Sequence, residues 1–171
     1  MGRDKALLSL AGKSLLQHAA ELVAEAAGSV VIIADPSRYT HLGLVVIPDR
    51  RPGLGPLGGI ATALAAATHD WNLILAVDMP SVPAATLHWL LDQALHSAPD
   101  CECVAPAGPT GPEPLCAVYH RAASAKIGDA LDRNILKMRT VLEMLNTRTL
   151  IPPVAAGFEN INTPEDWAAH E

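Results

Sequence analysis

Over residues 13–27, "KSLLQHAAELVAEAA", the apolar positions Leu15, Leu16, Ala19, Leu22, Val23 and Ala26 recur at helical spacing. They predict an amphipathic helix that stops at Gly28. The period then changes. "SVVIIA" (29–34), "LVVIPD" (44–49) and "NLILAVDMP" (72–80) are short, nearly unbroken apolar runs, the pattern of strands covered on both faces. Between the last two lies "GGIATALAAATHD", a predicted helix starting on glycines, and "PAATLHWLLDQALHSA" is another with Pro83 near its first turn. "CECVAPA" and "PLCAVYH" read as later strands and 121–145 as one or two helices. In "NTPEDWAAH", Asn162 or Thr163 supplies an N-cap, with Pro164 in the first turn and Asp166 placed for a capping box. Short apolar strands alternating with helices predict an α/β fold: a mostly parallel sheet with helices on both faces. With no internal repeat and no long linker, residues 1–171 are expected to form a single domain.

Composition narrows the function. A formal net charge of −6 lacks the basic stripe of a nucleic-acid surface, yet leaves room for a small phosphorylated ligand held by a few local donors. The three cysteines, Cys101, Cys103 and Cys116, are too few and too oddly spaced for a disulfide framework. They read as reduced, buried small hydrophobes of a cytoplasmic protein. No apolar run approaches the ~20 residues of a membrane span, so no membrane role is expected. The seven histidines form no metal-binding pair at i,i+4.

Ligands of open α/β sheets bind outside the carboxyl ends of strands, and three unusual stretches fall near such positions. After the strand at 44–47 comes "PDRRPGLGPLGGI". Its glycines allow a close backbone approach, and the pair Gly58–Gly59 is expected to open a helix whose N–H groups face an acceptor; a plain strand-to-helix turn explains the same residues. After the strand at 73–77 comes "VDMP", where Asp78 suits Mg²⁺, which takes one or two carboxylates plus substrate phosphates. The competing role, a cap for the helix near Pro83, would have to span five residues. In "FENINTPEDW", Asn160 and Asn162 lie on the same face of an extended segment, where side-chain amides both donate and accept; Asn162 alone could be a cap. Lys5 can neutralise a phosphate or stand as a solvated charge.

Taken together and in order, "MGRDKALLSLAGKSLLQH", "VVIIAD", "IPDRRPGLGPLGGI", "LAVDMP", "PEPLCAVY" and "NINTPEDW" closely resemble the molybdenum cofactor guanylyltransferases. The resemblance implies a Rossmann-like nucleotidyltransferase fold and these roles. Lys5 matches the lysine that contacts the GTP phosphates. Asp35 sits where relatives often carry an asparagine that touches the nucleotide. Asp49 matches the aspartate that helps hold the nucleoside, and Gly55 and Gly59 match the ends of the glycine-rich turn. Asp78 matches the aspartate that binds Mg²⁺. Arg139 matches an arginine on the pterin side, although "ILKMRTV" replaces the glycine-led approach common in relatives, and Asn160 and Asn162 match a pair lining that side.

The implied reaction transfers GMP from GTP to the terminal phosphate of molybdopterin and releases pyrophosphate. Molybdenum-insertion proteins and recipient molybdoenzymes are the implied partners. A site of one lysine, one carboxylate and many backbone donors, with no Ser-His or Cys-His pair, suits such charge neutralisation and positioning. Two alternatives stay open: a cytidylyltransferase acting on the same pterin, and a non-catalytic relative that binds pterin or a partner. In the family, M-G-x-D-K follows an apolar strand and a glycine-rich phosphate loop. The resemblance therefore implies a start upstream of Met1, and an open groove or rearranged strand beside 29–34 and 72–77.

Overall fold

A computed structural model describes residues 4–10, 12–108, 110–154 and 157–158. In chain order, a 3-10 turn over Lys5–Leu7 leads into a hairpin of β1 (Ser9–Leu10) and β2 (Lys13–Ser14), then α1 (Leu15–Ala27). β3 (Ile32–Ile33), the short helix α2 (Pro36–Tyr39), β4 (Val46–Ile47) and α3 (Gly55–Ala66) follow. Next come β5 (Trp71–Leu75), α4 (Ala84–Leu95), β6 (Cys103–Gly108), β7 (Gly111–Pro112) and β8 (Cys116–His120). α5 (Ser124–Asp132), α6 (Met138–Met144) and β9 (Thr147–Leu150) complete the described elements.

The main sheet is built on β6. β8 pairs antiparallel with both β5 and β6, while β9 joins β6 in parallel, so β5, β6 and β9 run one way with β8 reversed between two of them. β7 folds back onto the end of β6. Side chains alternate between two cores, as the period of two requires. Cys103, Ala105, Ala117 and Tyr119 pack with α3, α5 and α6. Val104, Cys116 and Val118 face the other way, onto Leu87, Leu90 and Ala94 of α4, with Leu22 of α1 against them. The fold is thus the expected α/β class, a mostly parallel sheet with helices on both faces. All three cysteines are free and buried, as expected.

Several sequence-based boundaries are corrected. The helix predicted from Lys13 begins at Leu15, because Lys13 and Ser14 pair with Ser9 and Leu10 and Ser14 closes a capping box with Gln17. The run 29–34 is not a strand covered on both faces. Only Ile32–Ile33 pair, with Val46–Ile47 as their sole strand partners among the described residues, and Val31 and Val45 are exposed. β5 likewise pairs with β8 alone among the described residues. α3 starts three residues before Gly58, so Gly58–Gly59 lie inside the helix rather than opening it. β9 was not expected from sequence. The helix predicted in "NTPEDWAAH" lies outside the described residues. No helix among the described residues is long and apolar enough to cross a membrane.

Candidate functional site

The carboxyl ends of β3, β4 and β5 carry Asp35, Asp49 and Asp78 in turn. Asp35 is the N-cap of α2, its Oδ1 accepting from the Ser37 N–H at 2.9 Å and the Ser37 hydroxyl at 2.8 Å. Those hydrogen bonds hold its carboxyl below the ordinary range. Asp49 organises the turn that follows it. Its Oδ1 accepts from the Arg51 N–H at 2.8 Å and from the buried Thr62 hydroxyl at 2.9 Å, and that hydroxyl accepts from the Arg50 N–H at 3.0 Å. Arg51 then pairs with Asp132 of α5 at 2.8 Å, tying the turn to the main body. Gly58 lets this turn sit against α3, because a Cβ there would lie 2.6 Å from the Arg51 carbonyl oxygen. Gly55 opens α3 with a φ of +66°, a conformation glycine adopts without strain. Gly59 has nothing within 4 Å of where its Cβ would be, so its face of the helix is open.

Asp78 is half-buried in the turn after β5. The next helix, α4, has Pro83 at its N-cap and no side-chain cap bond, so Asp78 does not cap it. Two segments converge on this turn. Val77 packs against the cluster of Ala6, Leu16 and Tyr39, so one neighbour of Asp78 and one of Lys5 share an apolar cluster. Lys5 itself lies in the turn fixed by Asp4, whose Oδ1 accepts from the Ala6 N–H at 3.1 Å. The second Asp4 oxygen accepts from Arg38 at 2.5 Å and from the Tyr39 hydroxyl at 2.7 Å. From the other side Phe158 packs on the core that includes Met79 and Val82. Gly157 lies so close to Ser81 that any Cβ would run into the Ser81 backbone. Asn160 and Asn162 lie outside the described residues.

Met79, immediately after Asp78, also lines a cavity of about 380 Å³ shared with Glu113, Pro114, Leu115, Lys137, Met138 and Arg139. Arg139 stands in the first turn of α6, crosses over Gly111, and donates to the Thr110 hydroxyl at 2.7 Å. Neighbours of Lys5 and Asp78 thus share one apolar cluster, and Met79 links the Asp78 turn to the cavity of Arg139. Asp35 and Asp49 follow the paired strands β3 and β4, and Gly55 and Gly59 lie on α3, which packs into the main core. Glu113 and Lys137 in the cavity were not singled out from sequence; the acid inside "PEPLCAVY" was the signal available. Among the described residues, no group of three or more His, Cys, Asp or Glu side chains could hold a metal by itself. The donor set suits a cation that takes one protein carboxylate and completes its shell from substrate oxygens, which is how Mg²⁺ binds.

Comparison with known proteins gives a consistent set of similarities. Residues 1–149 match the MobA-like NTP transferase domain. A probable molybdenum cofactor guanylyltransferase from Methanothermobacter thermautotrophicus is 30% identical over 177 residues, spanning 97% of this chain and 90% of the relative. Another, from Trichormus variabilis, is 35% identical over 175 residues, spanning 98% and 83%. The crystal structure of molybdopterin-guanine dinucleotide biosynthesis protein A from Archaeoglobus fulgidus superposes with a TM-score of 0.82 at 27% identity, covering 99% of this chain and 90% of that one.

Proposed function

The chain belongs to the MobA-like NTP transferase family, and we propose that it transfers GMP from GTP to molybdopterin, forming the guanine dinucleotide cofactor and releasing pyrophosphate. Nucleotidyl transfer in molybdenum cofactor biosynthesis is what its relatives' names support; the choice of GTP and the release of pyrophosphate are our reading. The observation that carries it is the turn after β5: Val77, beside Asp78, packs on the cluster that holds Ala6 of the Lys5 turn, and Met79, on the other side of Asp78, lines the cavity shared with Arg139.

In this reading the protein needs no nucleophile of its own. Asp78 would hold Mg²⁺, which when bound neutralises phosphate charge and orients the leaving pyrophosphate. Lys5 adds a second positive charge toward the triphosphate. The Asp49 turn and the open face of α3 at Gly59 bound the nucleoside side, with Asp35 beyond them. Arg139, with Asn160 and Asn162, meets the pterin. Holding two polyanions in line supplies the rate by removing translational and orientational freedom.

The test is a transfer assay with GTP, Mg²⁺ and molybdenum-loaded molybdopterin, read as dinucleotide formed. Wild-type protein should form it from GTP and not from CTP. Asp78→Asn should fold normally and lose Mg²⁺-dependent turnover. Normal turnover by that variant would remove the metal role, and a preference for CTP would move the protein to cytidylyl transfer.

A further inference from the structure

Glu113 sits in the stretch "PEPLCAVY" with no role assigned above. Its backbone N–H donates to the Pro106 carbonyl at 3.0 Å and its own carbonyl accepts from Cys116 N–H at 3.3 Å, so the main chain is fixed at the end of the hairpin between β6 and β8. Its side chain lies flat on Gly108. A Cβ at 108 would come within 2.7 Å of the Glu113 Cγ and 2.9 Å of its Cδ, and would collide with Oε1. Glycine at 108 is therefore what makes room for this carboxyl at the cavity wall. Burial pushes the carboxyl above its ordinary range, against the pull of Arg139.

The cavity has a definite chemical character. Met79, Pro114, Leu115 and Met138 give it apolar walls, Lys137 and Arg139 give it cations, and Glu113 is the one acidic side chain lining it among the described residues. At about 380 Å³ it falls in the range of small-molecule sites. Apolar walls suit a fused heterocycle, the cations suit a phosphate, and a carboxylate suits an edge with two parallel N–H donors. Such paired, charge-assisted bonds are the strongest and most directional that a carboxylate makes.

We propose that Glu113 is a specificity-determining residue of the acceptor site: its two oxygens accept from the ring N–H and exocyclic 2-amino group of a 2-amino-4-oxopteridine whose phosphate meets Lys137 and Arg139. This rests on the pterin acceptor proposed above, and it adds the atom pair by which that acceptor is told from other heterocycles. Guanine carries the same edge, so the assignment also says that Glu113 reads the pterin and not the nucleotide base.

Two pairs of probes test it by binding alone. A 6-substituted pterin monophosphate is compared with the matching lumazine, in which the 2-amino group is replaced by oxygen; both are followed by their own fluorescence. GTP is compared with ITP, which lacks the 2-amino group of guanine. Wild-type protein should bind the pterin about 10–100-fold more tightly than the lumazine, the span expected for hydrogen bonds to a charged group. Glu113→Ala and the equally sized Glu113→Gln should both lose that discrimination while keeping the wild-type GTP-to-ITP ratio. The Gln variant keeps the shape of the wall, so its failure would not be a loss of folding. Equal binding of pterin and lumazine by wild-type protein, absence of binding of both, or retained discrimination in the variants overturns the assignment. A fall in the GTP-to-ITP ratio overturns it too, by placing the carboxyl on the nucleotide. Discrimination without any dinucleotide formation in the transfer assay would leave Glu113 standing and reject the guanylyl-transfer reading instead.

Discussion

The two sides of the site are built by different forces. Around β6 and β8 the sheet is buried on both faces: Val104, Ala105, Ala117, Val118 and Tyr119 have no exposed surface, and helices close over them from either side. Around β3 and β4 the apolar cluster has Ala6, Leu16 and Tyr39 as its only buried members among the described residues. Here the chain is held by polar ties instead. Asp4 accepts from Arg38, Tyr39 and Ala6, Asp35 from Ser37, and Asp49 from Arg51 and Thr62. Close-packed apolar surface resists opening, while exposed hydrogen bonds exchange readily with water. The cavity proposed for the acceptor thus hangs from the rigid side. Of the turns proposed for the nucleotide, those of Lys5 and Asp35 belong to the side that opens at lower cost, while the Asp49 turn is tied to α3 and α5 of the main core.

The widest separation between the sides should come from cavity-forming substitutions. Leu87→Ala removes a side chain with no exposure, from the core between α4 and the sheet, and should cost about 2–5 kcal/mol. Ile33→Ala acts on a half-exposed residue of a two-residue ladder and should cost about 1 kcal/mol. Urea unfolding midpoints measure both. Equal shifts would mean that the β3–β4 side is as tightly packed as the other.

A pair of adjacent glycines sharpens the contrast within α3. Gly58→Ala would press a methyl into the Arg51 carbonyl and toward the Asp49 carboxylate, and should destabilise by about 1–3 kcal/mol. Gly59→Ala meets nothing and should stabilise the helix by about 0.5–1 kcal/mol, the usual gain of Ala over Gly in a helix interior. If the open face of Gly59 receives the nucleoside, the same variant binds GTP more weakly while melting at a higher temperature. Unchanged GTP affinity would take Gly59 out of the proposed site.

These pairs also mark what was legible from the sequence. α1 and α4 were readable because their apolar positions follow the helical period, and β6 and β8 because an unbroken apolar run demands cover on both faces. Asp78 could be picked out because a polar residue directly after such a run falls at a strand end, whereas Asp49 was named only through the family resemblance. The onset of α3 was not readable: Gly55, Pro56, Gly58 and Gly59 carry no periodic signal, and the pair at 58–59 resembles a helix start as much as a helix interior. β9 was missed because three of the four residues of "TRTL" are polar and it is a strand only through its parallel pairing with β6, a long-range choice. β3 was overestimated for a related reason, since apolar composition does not say how much partner a strand will find. Glu113 was hidden among its neighbours because its setting is made by Gly108, five residues away and across a hairpin.

The protein's two tyrosines fall one on each side, which turns a pH titration into a direct comparison. Tyr39 is pushed up to about 12, first by burial and then by its bond to the Asp4 carboxylate. Tyr119, donating to the Pro114 carbonyl at 2.9 Å, is raised well above the ordinary value by burial in the main core, with Cys103 adding to it. A raised folded pKa means stability that is complete below the ordinary value of 10 and is lost as pH rises through about 12. Absorbance of tyrosinate should therefore show one group titrating near 12 in folded protein, and the second only with unfolding. Tyr39→Phe should abolish the first step and cost about 1.5–3 kcal/mol at neutral pH, the range for a hydrogen bond to a charged acceptor. Titration of both phenols together would show that the two sides open as one unit.

The smallest effect concerns the joint that attaches β9 to the rigid side. Glu102 Oε2 accepts from Lys126 Nζ at 2.6 Å and from the Asn146 N–H at 2.8 Å, while the Glu102 N–H donates to the Asn146 carbonyl at 2.9 Å. One carboxylate thus holds α5 and the start of β9 against the start of β6. Burial alone would push this carboxyl up, but the bonds from Lys126 and Asn146 outweigh it and hold it below its ordinary 4.5. A lowered folded pKa contributes stability that is present above the unfolded value and is lost as pH falls through the folded one. Acid should therefore weaken the protein below about pH 4.5 partly through this group. The Lys126 side chain is half exposed, so Glu102→Gln should cost no more than about 1 kcal/mol at pH 7. Its informative signature is the shape of the curve: stability measured from pH 7 down to 3 should fall less steeply in the variant than in wild-type protein. Amide exchange at Arg148 and Thr149 should rise in the variant while that of Val118 stays slow, because β9 depends on this joint and β8 does not. A uniform rise across both strands would show that the carboxylate supports the whole sheet rather than the edge that sequence could not place.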